Sequence, residues 1–270
     1  MDWTQKRSWR LQRLPHQNLY DAKWDQKVRL GRACAFVAVL CALFKPVLAE
    51  SADDSALPTS AVPADPPVAE GFHWKAALLE SGFFLVLEHS GRLVQAKTRR
   101  ELGGPFWSDY FESASNIHTW NDSDSILTNY FGHPWMGAIS GYIQVFNDPR
   151  GRNLEFDASS KQYWKSRLKA MAWIAAYSTL YEIGPVSEAS IGNVGKKSPT
   201  MAVVDLVVTP VGGFTWMLIE DYVDKRFISR WEHGTSLNKA RFYRVALNPG
   251  RSIANLLRFK RPSYRDSRPL

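Results

Sequence analysis

The apolar stretches of this 270-residue chain are too long for β-strands, lack two-residue alternation, and are broken from within by proline. Strands run to about 4–8 residues, so apolar runs of roughly twenty belong to helices. Helices are expected over 72–93, over a short piece at 109–117, over 125–146, over 162–183 and from Ser198-Pro199 to about Tyr222. Ser198 would cap the last of these, with Pro199 at its first helical position. Pro134 and Pro210 each remove a backbone N–H and crowd the preceding turn, so a kink or restart is expected at both. Gly103-Gly104-Pro105, Asn147-Asp148-Pro149-Arg150-Gly151 and Gly184-Pro185 mark breaks between elements. The helix over 162–183, apolar nearly all round from Ala170 onward, is expected at the centre. Gly212-Gly213 would let a neighbour approach closely, and Ala172, Ala175 and Ala176 of that central helix suit the role. The expected class is mostly α: an irregular helical bundle with proline-kinked helices, forming one domain over 71–247. A leader and a disordered linker precede it, and a basic amphipathic tail at 248–270 follows.

Residues 28–49 read as a secretory signal peptide. Arg29 and Arg32 precede an apolar core at 33–44, and Val47-Leu48-Ala49 supplies small residues for cleavage. The core is short for a bilayer span, and Lys45-Pro46 interrupts it. Residues 1–27 are either a long basic n-region, making the leader 1–49, or sequence upstream of a true start at Val28. Residues 50–70 carry Pro58, Pro63, Pro66 and Pro67 among Ala, Ser and Asp, and offer nothing to bury. Both cysteines, Cys34 and Cys41, lie in the leader core, so an exported product would hold no thiol and no disulfide. The expected destination is the periplasm or the periphery of the outer membrane.

The formal charge of +8 comes from 34 Lys and Arg against 26 Asp and Glu. Nine of those cations and three of those acids precede Glu50, leaving 25 against 23, or +2. No nucleic-acid partner is expected from such a balance. What charge remains is segregated. Residues 241–270 hold eight cations against Asp266 alone, +7, which leaves about −5 for 50–240. Ile253, Leu256, Leu257 and Phe259 give that segment an apolar side. Arg251, Arg258, Lys260 and Arg261 are therefore candidate contacts to an anionic lipid or lipopolysaccharide surface. The alternative is that the tail docks on the acidic body. No protein partner is indicated.

Chemistry, if there is any, should reside in the ionisable residues set in apolar surroundings: Glu80, Glu88, His133, Glu182, Glu188, Asp205 and Glu220. A buried carboxylate is costly unless paired or hydrogen-bonded. In one reading His133, Glu182 and Asp205 converge as a general acid/base or metal constellation. In the other, each caps a helix, pairs with arginine, or bonds backbone freed near Pro134, Pro185 and Pro210. No metal site is expected, since HExxH, an EF-hand loop and an Asp-rich cluster are all missing from the sequence, and no cofactor is indicated. Neither is there a GxSxG, and the glycines and lysines over 192–197 lack the spacing of a phosphate loop. Lys75, Glu80 and Glu88 argue against the first helix crossing a bilayer, and the 201–219 stretch, which alone has the length, carries Asp205 and Pro210. A soluble or surface-bound chain is therefore expected ahead of a polytopic one, which only detergent would extract.

Three strings carry a resemblance: SILTNYFGHPWMGAISGYIQVFNDP from Ser125, YEIGPVSEASIGN from Tyr181, and VVDLVVTPVGGFTWMLIED from Val203. Together they resemble a family of uncharacterised exported bacterial proteins of the cell envelope, classed as a domain of unknown function. The resemblance covers about 100–130 residues. It implies a pattern at Asn129, His133, Pro134, Gly137, Glu182, Asp205, Thr209, Gly212, Gly213 and Glu220, with Glu188 in the second string. Asn248-Pro249-Gly250-Arg251 resembles a further feature after the domain. Ser140-Gly141-Tyr142 lacks the preceding arginine that some members carry. The expected function is an exported envelope protein, structural or lipid-interacting and peripheral to a membrane. The alternative is an envelope hydrolase or transferase acting on lipid or glycan through His133, Glu182 and Asp205.

Overall fold

Small side chains let one helix be surrounded by others, and the segment at 133–146, with Gly137, Ala138, Ser140 and Gly141, is surrounded. The computed structural model describes residues 71–94, 105–115, 120, 124–190 and 203–270. The chain runs through α1 (Trp74–Val94), α2 (Phe106–Ser115), a π-helical turn (Thr128–Gly132), α3 (His133–Phe146) and α4 (Lys161–Ile183). It continues through α5 (Val203–Val223), a second π turn (Asp224–Ile228), a last turn (Ser229–Trp231), α6 (Leu237–Leu247) and α7 (Pro249–Leu257). Among the described residues there is no strand, and the mostly helical bundle expected from the sequence is what forms. The leader, the linker, the stretch over 192–197 and the Ser198-Pro199 cap lie outside the described residues.

Local chemistry accounts for the helix ends. The Ser160 hydroxyl accepts the Tyr163 N–H at 3.2 Å to start α4. Gly184 ends it where a β-carbon would overlap the Leu180 carbonyl. Pro134 sits in the first turn of α3, and just before it the chain widens: the His133 N–H bonds the Thr128 carbonyl, five residues back. A proline ring crowds the carbonyl four residues back, and a π turn relieves that clash. Pro210 is carried inside α5.

Contacts at the helix ends fix direction. The His73 N–H bonds the Asn147 carbonyl, joining the start of α1 to the end of α3. The Tyr177 hydroxyl donates to Glu88 at 2.5 Å, and the Trp173 indole to Ser81 at 3.3 Å, so α1 and α4 run side by side in one sense. Helices α3 and α5 run the other way. One core joins them, with Phe84, Ile139, Tyr142, Ile143, Phe146, Ile174, Met217 and Leu257 among its members.

Two expectations about packing are corrected. The central helix is α3, with 12 of its 14 residues buried, while α4 leaves Leu168, Ala172, Ala176 and Leu180 exposed. The partner of Gly212-Gly213 is α3, not the alanine face of α4. A β-carbon on Gly213 would lie 2.7 Å from the Gly137 Cα, and one on Gly212 would lie 2.7 Å from Pro134 Cγ. Glycine faces glycine because only that pairing lets the two backbones touch. Of the two courses open to the segment at 248–270, a surface tail or docking on the acidic body, much of it takes the second: Arg251 pairs with Asp221 and Arg265 donates to Asp224 at 3.1 Å.

Candidate functional site

The α3–α5 crossing gathers most of the residues singled out in the sequence. His133 Nε2 lies 3.2 Å from Asp205 Oδ1, and both side chains are under a tenth exposed. One helical turn along, a β-carbon on Gly137 would overlap the Thr209 carbonyl. Pro134 then meets Gly212, and Gly137 meets Gly213, so the His-Pro-Gly and Asp-Thr-Gly-Gly blocks form one seam. The third helix closes on it. Ser178 Oγ donates to the Asp205 carbonyl at 3.1 Å, and Glu182, four residues further along α4 and therefore on the same face, is buried too. The structure thus brings His133 and Asp205 into contact, with Glu182 buried on the neighbouring face. Asn129 is buried in the π turn ahead of α3.

Glu188 belongs to a different group. Its Oε1 takes the Tyr181 hydroxyl at 2.9 Å and lies 3.0 Å from Arg92 Nε, while the His89 ring stacks on Tyr181 at 4.8 Å. Sequence reading singled out Glu188 and missed Arg92, His89 and Tyr181, which lie on two other helical segments.

The opposite end of the bundle was hardly visible in the sequence. Asp221, fully buried on α5, accepts from the Tyr163 hydroxyl at 2.9 Å, Arg167 Nε at 2.6 Å and the Tyr142 hydroxyl at 3.1 Å, and pairs with Arg251. Asp224 accepts from Asn248 at 3.2 Å and Arg265 at 3.1 Å, and pairs with Arg268. Glu232 takes Arg244 at 2.7 Å and Arg268 at 2.6 Å. Glu220 Oε1 accepts the Gly250 N–H at 2.7 Å and Oε2 the Arg251 N–H at 3.0 Å, so this carboxylate caps the N-terminus of α7. Asn248-Pro249-Gly250-Arg251 is therefore the entry to a helix seated on α5. Burial alone would lower the Arg251 pKa, but the charges of Asp221 and Asp224 beside it, together with Tyr142, hold it well above its ordinary value. Arg265 is pushed down to about 10, first by burial and then by Arg251.

Of the four cations expected at a membrane surface, two are committed elsewhere. Arg251 is paired with buried Asp221, and Arg258 is clamped by Asp266 at 2.7 Å while lying 3.8 Å over the Phe146 ring. Lys260 and Arg261 remain exposed. Among the described residues no three His, Cys, Asp or Glu side chains are grouped as metal ligands. A cleft beside Asp221, Asp224 and Arg251 has an interior of about 10 Å³, room for roughly one water. No family model, curated protein or solved structure matches the chain.

Proposed function

We propose that the protein is an exported envelope protein with a structural, lipid-interacting role, meeting an anionic membrane surface with the end of the bundle that carries its C-terminus. The observation that carries this reading is Phe259. It is 74 % exposed and sits in the left-handed backbone region at φ 57°, next to exposed Lys260 and Arg261. Phe259 follows the end of α7, where the Lys260 N–H closes on the Asn255 carbonyl at 2.9 Å. Glycine is the usual residue in that left-handed position, and a side chain there costs about 1–2 kcal/mol. Exposed Lys161, Lys165, Lys225 and Arg226 share this end, against exposed Glu155 and Asp157. A protruding aromatic ring among cations suits insertion between anionic headgroups. The test separates fold from function. Phe259→Gly removes the ring and suits the backbone, so unfolding temperature should hold or rise while binding to phosphatidylglycerol vesicles weakens several-fold. Binding unchanged in Phe259→Gly, and also in Lys260→Glu/Arg261→Glu, would sink the reading.

A second reading has one observation in its favour, the His133–Asp205 approach. A carboxylate beside an imidazole orients the ring and raises its basicity, as a general base requires. Under this reading the protein is an envelope hydrolase or transferase on lipid or glycan, with Glu182 as the third group. Against it stands the burial of both side chains, which keeps bulk substrate from them. His133→Gln and Asp205→Asn variants that fold normally and leave the cell's lipid and glycan profile unaltered by mass spectrometry would end it.

A further inference from the structure

We infer that the outer faces of α1, the C-terminal half of α4, and α5 lie against the acyl chains of a phospholipid bilayer, so that the protein is embedded rather than surface-bound. The inference rests on the lipid reading above and deepens it. The charged residues of α5 are Asp205, Glu220 and Asp221, and all three are buried. The outward residues are Val207, Val211, Thr215, Ile219 (57 % exposed) and Tyr222. On α4 beyond Ala170 the single charge, Glu182, is buried, and Leu180 is 54 % exposed. On α1, Glu80 is taken by Asn147 at 2.9 Å and Glu88 by Tyr177, while Leu78 (59 % exposed), Phe83 and Leu87 face out. A soluble bundle around a buried central helix puts its charges outside. Here, apart from Lys75 in the first turn of α1, at the end that carries the cations, they point inward.

Three further observations select lipid as the occupant. The outward serine and threonine hydroxyls on these helices are returned to their own backbone four residues back: Ser90 to Val86 at 2.6 Å, Thr179 to Ala175 at 2.8 Å, Thr215 to Val211 at 2.8 Å. That bond leaves no polar group seeking water, as hydrocarbon demands. The 21 residues of α5 span roughly 30 Å at 1.5 Å per residue, about the thickness of a bilayer core. Exposed tryptophans stand at both ends of the flank, Trp74 and Trp231 near the cations and Trp107 and Trp120 at the opposite end, where headgroups would begin. Among the described residues one helix, Val203–Trp231, is long and apolar enough by itself to cross a membrane. Helix α1 beyond Lys75 and α4 beyond Ala170 carry charges that their inward placement makes compatible with lipid, while exposed Lys75, Lys161, Lys165 and Lys169 gather at the end where headgroups would begin.

The experiment uses the full chain with Cys34→Ser and Cys41→Ser, and single cysteines introduced as Val211→Cys, Ile219→Cys or Arg261→Cys, each labelled with an environment-sensitive fluorophore. After reconstitution into phosphatidylcholine–phosphatidylglycerol vesicles, a nitroxide on the lipid acyl chain should quench the 211 and 219 labels several-fold more than the 261 label. The protein should also stay with the vesicles through high salt and alkaline carbonate, and leave only in detergent. Vesicle binding that salt reverses, with no acyl-chain quenching at 211 or 219, overturns the inference and leaves the surface-bound reading standing. Labels that shift with protein concentration but ignore the acyl-chain nitroxide would mean that a second copy covers the face, which also overturns it. Failure to bind any vesicle would remove the lipid reading as well.

Discussion

At the His133 end, α3 and α5 meet backbone to backbone, glycine on glycine, with one imidazole–carboxylate approach between them. At the other end of the same helices, contact runs through long side chains, with Asp221, Asp224 and Glu232 receiving Arg167, Arg244, Arg251, Arg265 and Arg268. The first end is fixed by shape: nothing larger than hydrogen fits. The second is fixed by charge balance, and shape alone would tolerate other pairings. Buried ion pairs are weak sources of net stability, because removing two charges from water costs several kcal/mol each. Breaking one is another matter, since the survivor stays buried without its counter-charge. The two ends should therefore respond differently to substitution.

The largest effect belongs to the charged end. Asp221→Ala strands Arg167 and Arg251 and deprives two tyrosine hydroxyls of their acceptor, so a loss of about 3–5 kcal/mol is expected in denaturant unfolding. A loss under about 1 kcal/mol would show that water reaches the cluster and that charge does not fix this end. Next comes the glycine seam. Gly213→Ala places a methyl 2.7 Å from the Gly137 Cα and should cost about 1–3 kcal/mol, because neither helix can retreat without disturbing Pro134 against Gly212. A Gly213→Ala variant as stable as the parent would mean that the two helices can separate at no cost, and that shape does not fix this end.

How far each end could be read from the sequence follows from the same difference. The helices and their breaks were legible, because periodicity and proline act over a few residues. So was the seam: His133-Pro134, Gly137 and Gly212-Gly213 are residue types with few structural uses, although the sequence pointed Gly212-Gly213 at the wrong partner. Ala172, Ala175 and Ala176 also offer a small-residue face, and nothing local ranks two small faces. The charged end was left between two readings, because eight cations in thirty residues suit a lipid surface as well as an acidic body. The partners were present in Glu220 and Asp221 at the end of α5 and Asp224 in the turn that follows, but only tertiary packing brings them to the arginines and to the α7 entry. The same limit applied to α1. Glu80 and Glu88 counted against a lipid-facing helix until Asn147 and Tyr177 were seen to take them.

Two smaller tests sharpen the contrast. A double-mutant cycle on His133→Ala and Asp205→Ala should return a coupling of about 1 kcal/mol, the size of one buried polar contact. Zero coupling would make the approach incidental and remove the support for a catalytic pair. Glu220→Gln keeps the shape of the α7 cap and loses its charge, so about 1 kcal/mol is expected, less than for Asp221→Ala, because backbone N–H groups rather than a guanidinium are left poorly matched.

The smallest expected effect provides the control for the charged end. Asp148 pairs with Lys169 at 2.8 Å, but the lysine is nearly half exposed, so water screens the pair. Burial pushes the Asp148 carboxyl up, yet the Lys169 bond and the Arg150 N–H at 3.1 Å outweigh it and hold the group below its ordinary 3.8. A carboxyl lowered on folding contributes stability above its unfolded value and loses it as pH falls through the folded one. Asp148→Asn should thus cost under about 1 kcal/mol at neutral pH, with variant and parent converging below pH 3.8. High salt should narrow the gap at neutral pH for Asp148→Asn and leave that for Asp221→Ala nearly untouched, because ions screen an exposed pair and cannot enter a dry one. If salt erased both gaps alike, the buried arginine–carboxylate cluster would be a surface network after all, and the distinction between the two ends would reduce to packing alone.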